Sequence, residues 1–526
     1  MKHQKTNNKT NNKTKKGITA MKTFTISTWI KLAIWIVLLV IQLCSVQAQY
    51  SQQWVSTLNA QGNKTSVLKD ASDNLYTFGG NKLAKFNSAG AQQWSTSTEY
   101  ITAMALDNSG NIYVTGGYGI TPYGYIFVKK FSNNGTEVMS KISGGGMNYI
   151  YTPIDITVDN SGNIYVYSSS FVYGSMHSNS SRLFKFDNLG NEVWNLSPSG
   201  TGAVRMKPDN SGNIIVASYT ISYYGYFPAY TTVSRYSPSG TVLNTLMIDS
   251  TGANDFFVGN SGYIYLTGNR TTKINPGFSV DWEVNNSFEG ASVKSDVNGN
   301  VFVTGNTSYS PSLSNIVTQK ISASGQVMWS QMYDGPANGE DVVTDMLLTP
   351  NGSVLIGGTT EINTGNLDMF LIKYSSTGGF MNSNSYDDMA DDAGRKVILI
   401  NGNDVVLCGL SGDGYSFVKA VLIKFSDVTA ITPQNNQTPG GFSLKQNYPN
   451  PFNPNTKIEF SIAKATFVKM AVYDIAGKEV EILVNENVNS GTYEVDFNAS
   501  KLTSGVYFCK ITAGDFTDVK KMILTK

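Results

Sequence analysis

The sequence predicts an all-β chain: a β-propeller, with eight blades favoured and seven the alternative, followed by a small Ig-like β-sandwich. Three observations lead to that reading. A polar, glycine-centred turn with an alternating apolar run behind it, seen most fully in Asp107-Asn108-Ser109-Gly110-Asn111-Ile112-Tyr113-Val114-Thr115-Gly116, recurs through most of the chain. Charged residues make up only 15% of the sequence and aromatics 12%, with 50 glycines, a balance that suits strands and tight turns better than helices. A second series of strand-like runs, without the repeat, fills the C-terminal region.

Copies of the repeat lie at 159–167, 209–217, 259–268, 296–305 and 349–357, with weaker ones at 70–78 and 400–409. Markers at Asp73, Gly110, Gly162, Gly212, Gly262, Gly299, Gly352 and Gly402 are 37 to 53 residues apart, a period that signals a propeller or solenoid. The turn chemistry is specific: Asp and Asn side chains bond their own backbone, and the Gly accepts φ > 0. Each full unit reads as four strands, A to D; in the second unit these are 101–106, 112–116, 125–131 and 137–142. The C–D turn is also Gly-centred, as in Asn133-Asn134-Gly135. Trp94, Trp194, Trp282 and Trp329 follow it at equivalent D-strand positions, where recurrence points to packing between blades. Units one and five are short because their B–C links are tight, so the variation falls on the B–C side.

The eighth unit supplies A, B and C strands at 396–400, 405–410 and 417–425 but no D strand. Its expected replacement is Ser51-Gln52-Gln53-Trp54-Val55, which copies the first unit's D strand, Ala91-Gln92-Gln93-Trp94-Ser95. Pairing of this N-terminal strand with the one ending near Phe425 would close the ring.

Ahead of the repeats, Lys16, Lys22 and Lys31, the apolar run 32–41 and Val46-Gln47-Ala48 have the three-part layout of a secretory leader, with cleavage expected near Ala48. Domain boundaries follow: leader and upstream extension 1–48, propeller 49–426, linker 427–441 and C-terminal domain 442–526. Of the 39 basic residues in the whole chain, eight fall in 1–48; the 31 that remain face 38 acidic ones, so the mature net charge is near −7. That balance argues against nucleic-acid binding. Cys408 and Cys509 remain in the mature chain, in different domains, and read as buried free thiols.

His177 is the only histidine after the leader, which leaves almost no material for a zinc site or a Ser-His-Asp triad. No catalytic residue, metal-ligand set or cofactor is expected. Asp107-x-Ser109-x-Asn111 superficially resembles a calcium loop, but Tyr118 stands where a bidentate Glu is needed. The acidic-loop candidates are Asp387, Asp388, Asp391 and Asp392, with Asp334, Glu340 and Asp341 in the matching segment one repeat earlier; a solvated D–A connection is favoured over a metal or acid–base site. The ligand-contact candidates are aromatics of the long B–C loops: Tyr123, Tyr173, Tyr223, Tyr224, Tyr226 and Phe227. Tyr suits stacking on a sugar or contact with a protein, and the alternative is that these loops pack on each other.

Two resemblances add to this reading. Residues Asp107 to Gly116, and Trp329 through Tyr333-Asp334-Gly335 to Asp341 and Gly357, resemble the SBBP family of bacterial β-propeller repeats, over about 51–426. That likeness implies architecture and secretion more than an activity. Residues 442–526 closely resemble the type A C-terminal sorting domain of the type IX secretion system of the Bacteroidetes. The likeness is carried by Gln446-Asn447-Tyr448-Pro449-Asn450-Pro451-Phe452-Asn453-Pro454, Val472-Tyr473-Asp474-Ile475-Ala476-Gly477-Lys478, Leu502-Thr503-Ser504-Gly505-Val506-Tyr507-Phe508 and Lys520-Lys521-Met522. It implies export across the outer membrane by the type IX machinery, with release or surface attachment. The expected product is a monomeric propeller that binds a glycan or a protein at or beyond the cell surface. A polysaccharide-active enzyme using carboxylates on the propeller face and a structural surface component are the alternatives.

Overall fold

The computed structural model describes residues 50–525, apart from the segments 119–122, 173–179, 222–227, 308–313, 413–416, 428–431 and 436–438 and isolated further positions. The expected leader, 1–48, lies outside the described residues. Every named element among those described is a strand. The chain forms two compact units, one of Ala48–Val428 and one containing Thr429–Lys526.

Among the described residues, the first unit holds eight four-stranded antiparallel, blade-like sheets. Seven use four consecutive strands, as the second does with Ala103–Leu106, Ile112–Tyr118, Tyr123–Phe131 and Glu137–Met147. The eighth takes Asp391–Ile400, Asp404–Gly412 and Phe417–Asp427 and completes itself with Tyr50–Asn59. This is the pairing read from the sequence: Gln52 opposes Phe425, Trp54 opposes Lys424 and Ser56 opposes Leu422. The A strand of each sheet packs against that of the next, and Thr65–Lys69 of the first sheet packs against Asp391–Ile400 of the eighth. The core lies between sheets. Leu58, Val67, Leu75 and Phe86 share one buried cluster with Ile400, Val406, Cys408, Leu410 and Leu422. Cys408 and Cys509 are both free and buried, and burial pushes their thiols up to about 11 and about 12.

The turn motif is satisfied within itself. Asp107 Oδ1 accepts from the amides of Ser109 and Asn111, both at 2.9 Å, and Oδ2 accepts from Asn111 Nδ2 at 2.8 Å and Tyr113 OH at 3.2 Å. Asp70, Asp159, Asp209 and Asp296 accept the same backbone amides. These carboxylates are occupied by their own turns, which answers the calcium-loop resemblance with turn chemistry.

The tryptophans join neighbouring sheets. Trp94 Nε1 donates to Asn133 O, Trp194 to Pro238 O and Trp282 to Ala323 O, at 3.0, 3.3 and 3.0 Å, and each acceptor lies in the C–D turn of the next sheet. The ring itself lies under the turn glycine. A Cβ on Gly325, at φ 88°, would sit 3.0 Å from Trp282, so this position needs Gly for both conformation and space. Trp54 takes the same place against Gly90 of the first sheet, so the N-terminal strand reproduces the contact as well as the pairing.

Near the ring axis, the A strand of each sheet is an edge strand with amides that its ladder does not use. Asp155, Asp255 and Asp345 fill that need with Oδ2, accepting from Met206 N at 3.1 Å, Val293 N at 3.2 Å and Val397 N at 3.1 Å, each in the following sheet. Each of the three Asp residues follows a bulge in its own strand.

The second unit packs two four-stranded sheets over one core that includes Phe452, Ile458, Phe460, Met470, Val495 and Ile511. The linker reading of 427–441 needs correction: Asp427 ends a propeller strand, and Thr432–Asn435 is itself a strand paired with Gly491–Asn498. Pro433 and Pro439 suggested irregular chain, but Thr432–Asn435 has a neighbour on one side only, where a proline is tolerated.

Deleting Tyr50–Asn59 should destabilise the whole first unit. Tyr50 and Leu58 are both buried, and their loss with the ladder and the Trp54 contact should remove on the order of 5 kcal/mol and lower Tm by roughly 10 °C. Calorimetry on the truncated protein checks this, and an unchanged Tm would show that closure does not depend on this strand.

Candidate functional site

In an antiparallel four-stranded sheet the A–B and C–D turns share one end, and the B–C and D–A links share the other. Tyr173, Tyr223, Tyr224, Tyr226 and Phe227 lie outside the described residues. Tyr123 opens the third strand of the second sheet at the B–C end, opposite Met147. Among the described residues, the side chains brought together at this end are the carboxylates around the acidic loop.

That loop links Phe380–Tyr386 of the seventh sheet to Asp391–Ile400 of the eighth. Asp392 is 1% exposed, Asp388 and Asp391 are half-buried, and Asp387 is exposed. Asp388 is neutralised locally: Oδ2 pairs with Lys419 Nζ, and Oδ1 accepts from Ser411 Oγ at 2.8 Å. Burial works against its charge, but Lys419 and Ser411 outweigh that and hold the carboxyl below its usual range. Asp391 Oδ1 accepts from Leu367 N at 3.4 Å.

The sequence reading missed Asp368. It lies in the strand Asn366–Tyr374 of the seventh sheet and is 1% exposed, and carboxylate oxygens of Asp368, Asp387 and Asp392 all fall within 4.8 Å of one another. Asp392 Oδ2 accepts from Asp388 N at 3.2 Å, while Oδ1 is buried with no hydrogen-bond donor among the described residues. Ser411 faces Asp392 across the ladder but has a single hydroxyl proton, which the geometry gives to Asp388. Burial first, then the charge of Asp387, pushes Asp368 up to about 6. Burial, with Asp388 and Asp368 adding to it, pushes Asp392 up to about 7.

The matching segment of the seventh sheet is built differently. Asp341 stands where Asp392 does, and it is satisfied: Oδ1 accepts from Thr360 Oγ1 at 2.5 Å and Oδ2 from Gly335 N at 2.6 Å. Glu340 N donates to Glu361 Oε2 at 3.2 Å, and burial with the Glu361 charge raises the Glu340 carboxyl.

In the second unit the residues expected to carry the sorting signal make contacts within the fold, several of them with the strand Phe516–Leu524. Asn447 is buried, and its Nδ2 donates to Pro449 O at 3.0 Å and Thr456 Oγ1 at 2.9 Å. The Tyr448–Pro449 and Asn450–Pro451 bonds are cis. Asn450 reaches the last strand from both ends of its amide, donating to Lys521 O at 3.1 Å and accepting from Ile523 N at 2.9 Å. Phe452 enters the core and bridges to Leu524. Gly477 takes φ 79° in an Asp474 turn of the same design as Asp107, and Gly505 opens the strand that pairs with the last one. Lys520 pairs with Asp518 at 3.0 Å, and Lys521 is exposed.

Asp368 and Asp392 carry raised carboxyls, so between about pH 4 and 7 the folded state holds protons that the unfolded chain has released. Unfolding free energy from this source falls as pH rises through that window. Carboxyls held low, such as Asp107 and Asp345, act with the opposite sign and only at more acidic pH. In chelator, stability should therefore drop by on the order of 1–3 kcal/mol from pH 5 to 7.5, and Asp392→Asn should remove most of that slope. Denaturant titrations at the two pH values measure it.

Residues 446–525 match the family described as Secretion system C-terminal sorting domain. No curated protein matches the chain. Among solved structures it is similar to BamB from Moraxella catarrhalis, at 10% identity over 72% of this chain and 100% of that one, with a TM-score of 0.49. It is also similar to the WD40 domain of SCAP from fission yeast, at 7% identity over 73% of this chain and 98% of that one, TM-score 0.42. A third likeness is to the Pan2 WD40 domain of Neurospora crassa, at 10% identity over 62% and 88%, TM-score 0.39. The C-terminal segment is thus a type IX sorting domain, which implies engagement with that secretion machinery and delivery of the protein to the cell surface or the medium.

Proposed function

We propose that the chain is an exported binding module: an eight-bladed propeller of SBBP-type repeats that takes a glycan or a protein ligand, delivered by its C-terminal domain, an Ig-like sandwich, after removal of the leader near Ala48. The observation that carries export is the match of residues 446–525 to a sorting domain. The binding role is supported by how the two ends of the sheets differ. At the A–B end the repeated Asp side chains are occupied by their own turns. The B–C end carries the links that vary from unit to unit, read from the sequence to hold Tyr173, Tyr223, Tyr224, Tyr226 and Phe227, with Tyr123 opening a strand beside one of them. Catalysis by the acidic loop has less support, because Asp368 and Asp392 are each only 1% exposed and a general acid must reach the glycosidic oxygen.

A glycan and protein array probed with the mature protein would identify the ligand, and replacing Tyr223, Tyr224 and Tyr226 together by Ala should lower affinity at least tenfold while the circular dichroism spectrum is unchanged. Equal binding by that variant would reject this loop as the contact. Removal of Phe442–Lys526 should leave the protein in the periplasm; fractionation that finds it undiminished at the surface or in the medium would refute the delivery role.

A further inference from the structure

We infer that Asp368, Asp387 and Asp392 form a calcium site that fastens the seventh sheet to the eighth. The three residues come from three elements: a strand of the seventh sheet, the link, and the first strand of the eighth. Their carboxylate oxygens lie within 4.8 Å of one another, a separation that oxygens around one calcium ion at 2.3–2.6 Å can adopt. The second observation is Asp392 itself. It is 1% exposed, and Oδ1 has no donor among the described residues, an arrangement that costs the folded state unless a cation or a proton meets that oxygen.

The seventh sheet provides an internal control. Asp341 pairs across its ladder with Thr360 as Asp392 does with Ser411, and each carboxylate accepts an amide from the preceding link. Thr360 satisfies Asp341 Oδ1 directly. In the eighth sheet Asp388 stands where Gly335 stands, and it draws the Ser411 hydroxyl to itself. One exchange therefore removes the donor from Asp392 and sets a second carboxylate, paired with Lys419, beside it. Lys419, which could otherwise meet the Asp392 charge, is paired with Asp388. An all-oxygen set without nitrogen or sulfur donors selects a hard cation, and an exposed Asp387 leaves one side open to water, which suits the flexible coordination of calcium better than the strict octahedron of magnesium.

The test uses the full mature protein stripped with chelator at pH 7.5. Calorimetric titration with calcium should show one site. Tm should rise by roughly 5 °C when calcium is about 100-fold above Kd, with a smaller rise for magnesium at equal concentration. Asp392→Asn and the exposed Asp387→Asn should each abolish the calcium-dependent rise, and Asp334→Asn should keep it. Asp387→Asn keeps the test valid if Asp392→Asn does not fold. Retention of the rise in Asp387→Asn, an equal response to magnesium, or no calcium binding at millimolar concentration would each overturn the assignment. So would Asp392→Asn stabilising the stripped protein while calcium adds nothing to the native one, since the buried carboxyl would then be held as the neutral acid.

Discussion

The first unit depends on the antiparallel pairing of Tyr50–Asn59 with Phe417–Asp427. A four-stranded sheet cannot bury both of its faces alone, and here each core cluster is assembled from two neighbouring sheets, as Leu58, Phe86 and Leu422 show. A ring of such sheets has no end only if the last one meets the first. The N-terminal strand achieves this in two ways: it completes the eighth ladder, and it sets Trp54 under the turn glycine of the first sheet. Seven sheets made from consecutive chain therefore rely on one that joins the two ends of the unit.

What could be read from the sequence was chemistry that acts locally. Asp107, Gly110 and Asn111 act within five residues, so their turn was legible, and the copy of the Trp94 strand around Trp54 betrayed the missing eighth D strand. The Trp residues were legible because their spacing repeats. Asp368 was not, because nothing in Asn366–Tyr374 marks it except proximity to Asp392, which arises only when the eighth sheet packs on the seventh. The strand Thr432–Asn435 was hidden for a related reason. Its composition is that of a linker, and its partner lies more than fifty residues on.

Asp155, Asp255 and Asp345 were equally illegible, since a bulge has no sequence signature here and the amides they accept belong to the next sheet. The charges of Asp255 and Asp345 are met from neighbouring A strands: Arg205 lies 3.5 Å and Lys294 3.6 Å from Asp255, and Lys396 lies 3.3 Å from Asp345. Burial opposes the charge on Asp345, yet Lys396 and Lys294 hold its carboxyl low, the reverse of what burial does to Asp392. The same residue type is thus a settled structural element at the axis and a frustrated one at the B–C end. The difference is the cation beside it, not the depth.

The second unit solves the problem of a chain end from the other side. Its last strand, Phe516–Leu524, lies at a sheet edge, and residues near the start of the domain cover that edge: Gln446 and Asn450 take Lys521 O, Asn450 accepts from Ile523 N, and Phe452 exchanges hydrogen bonds with Ile523 and Thr525. Two stretches that lie at opposite ends of the domain in sequence therefore meet along this edge. Lys520 and Lys521 are placed by that closure, so a substitution at Asn450 would disturb the terminal strand without touching either lysine.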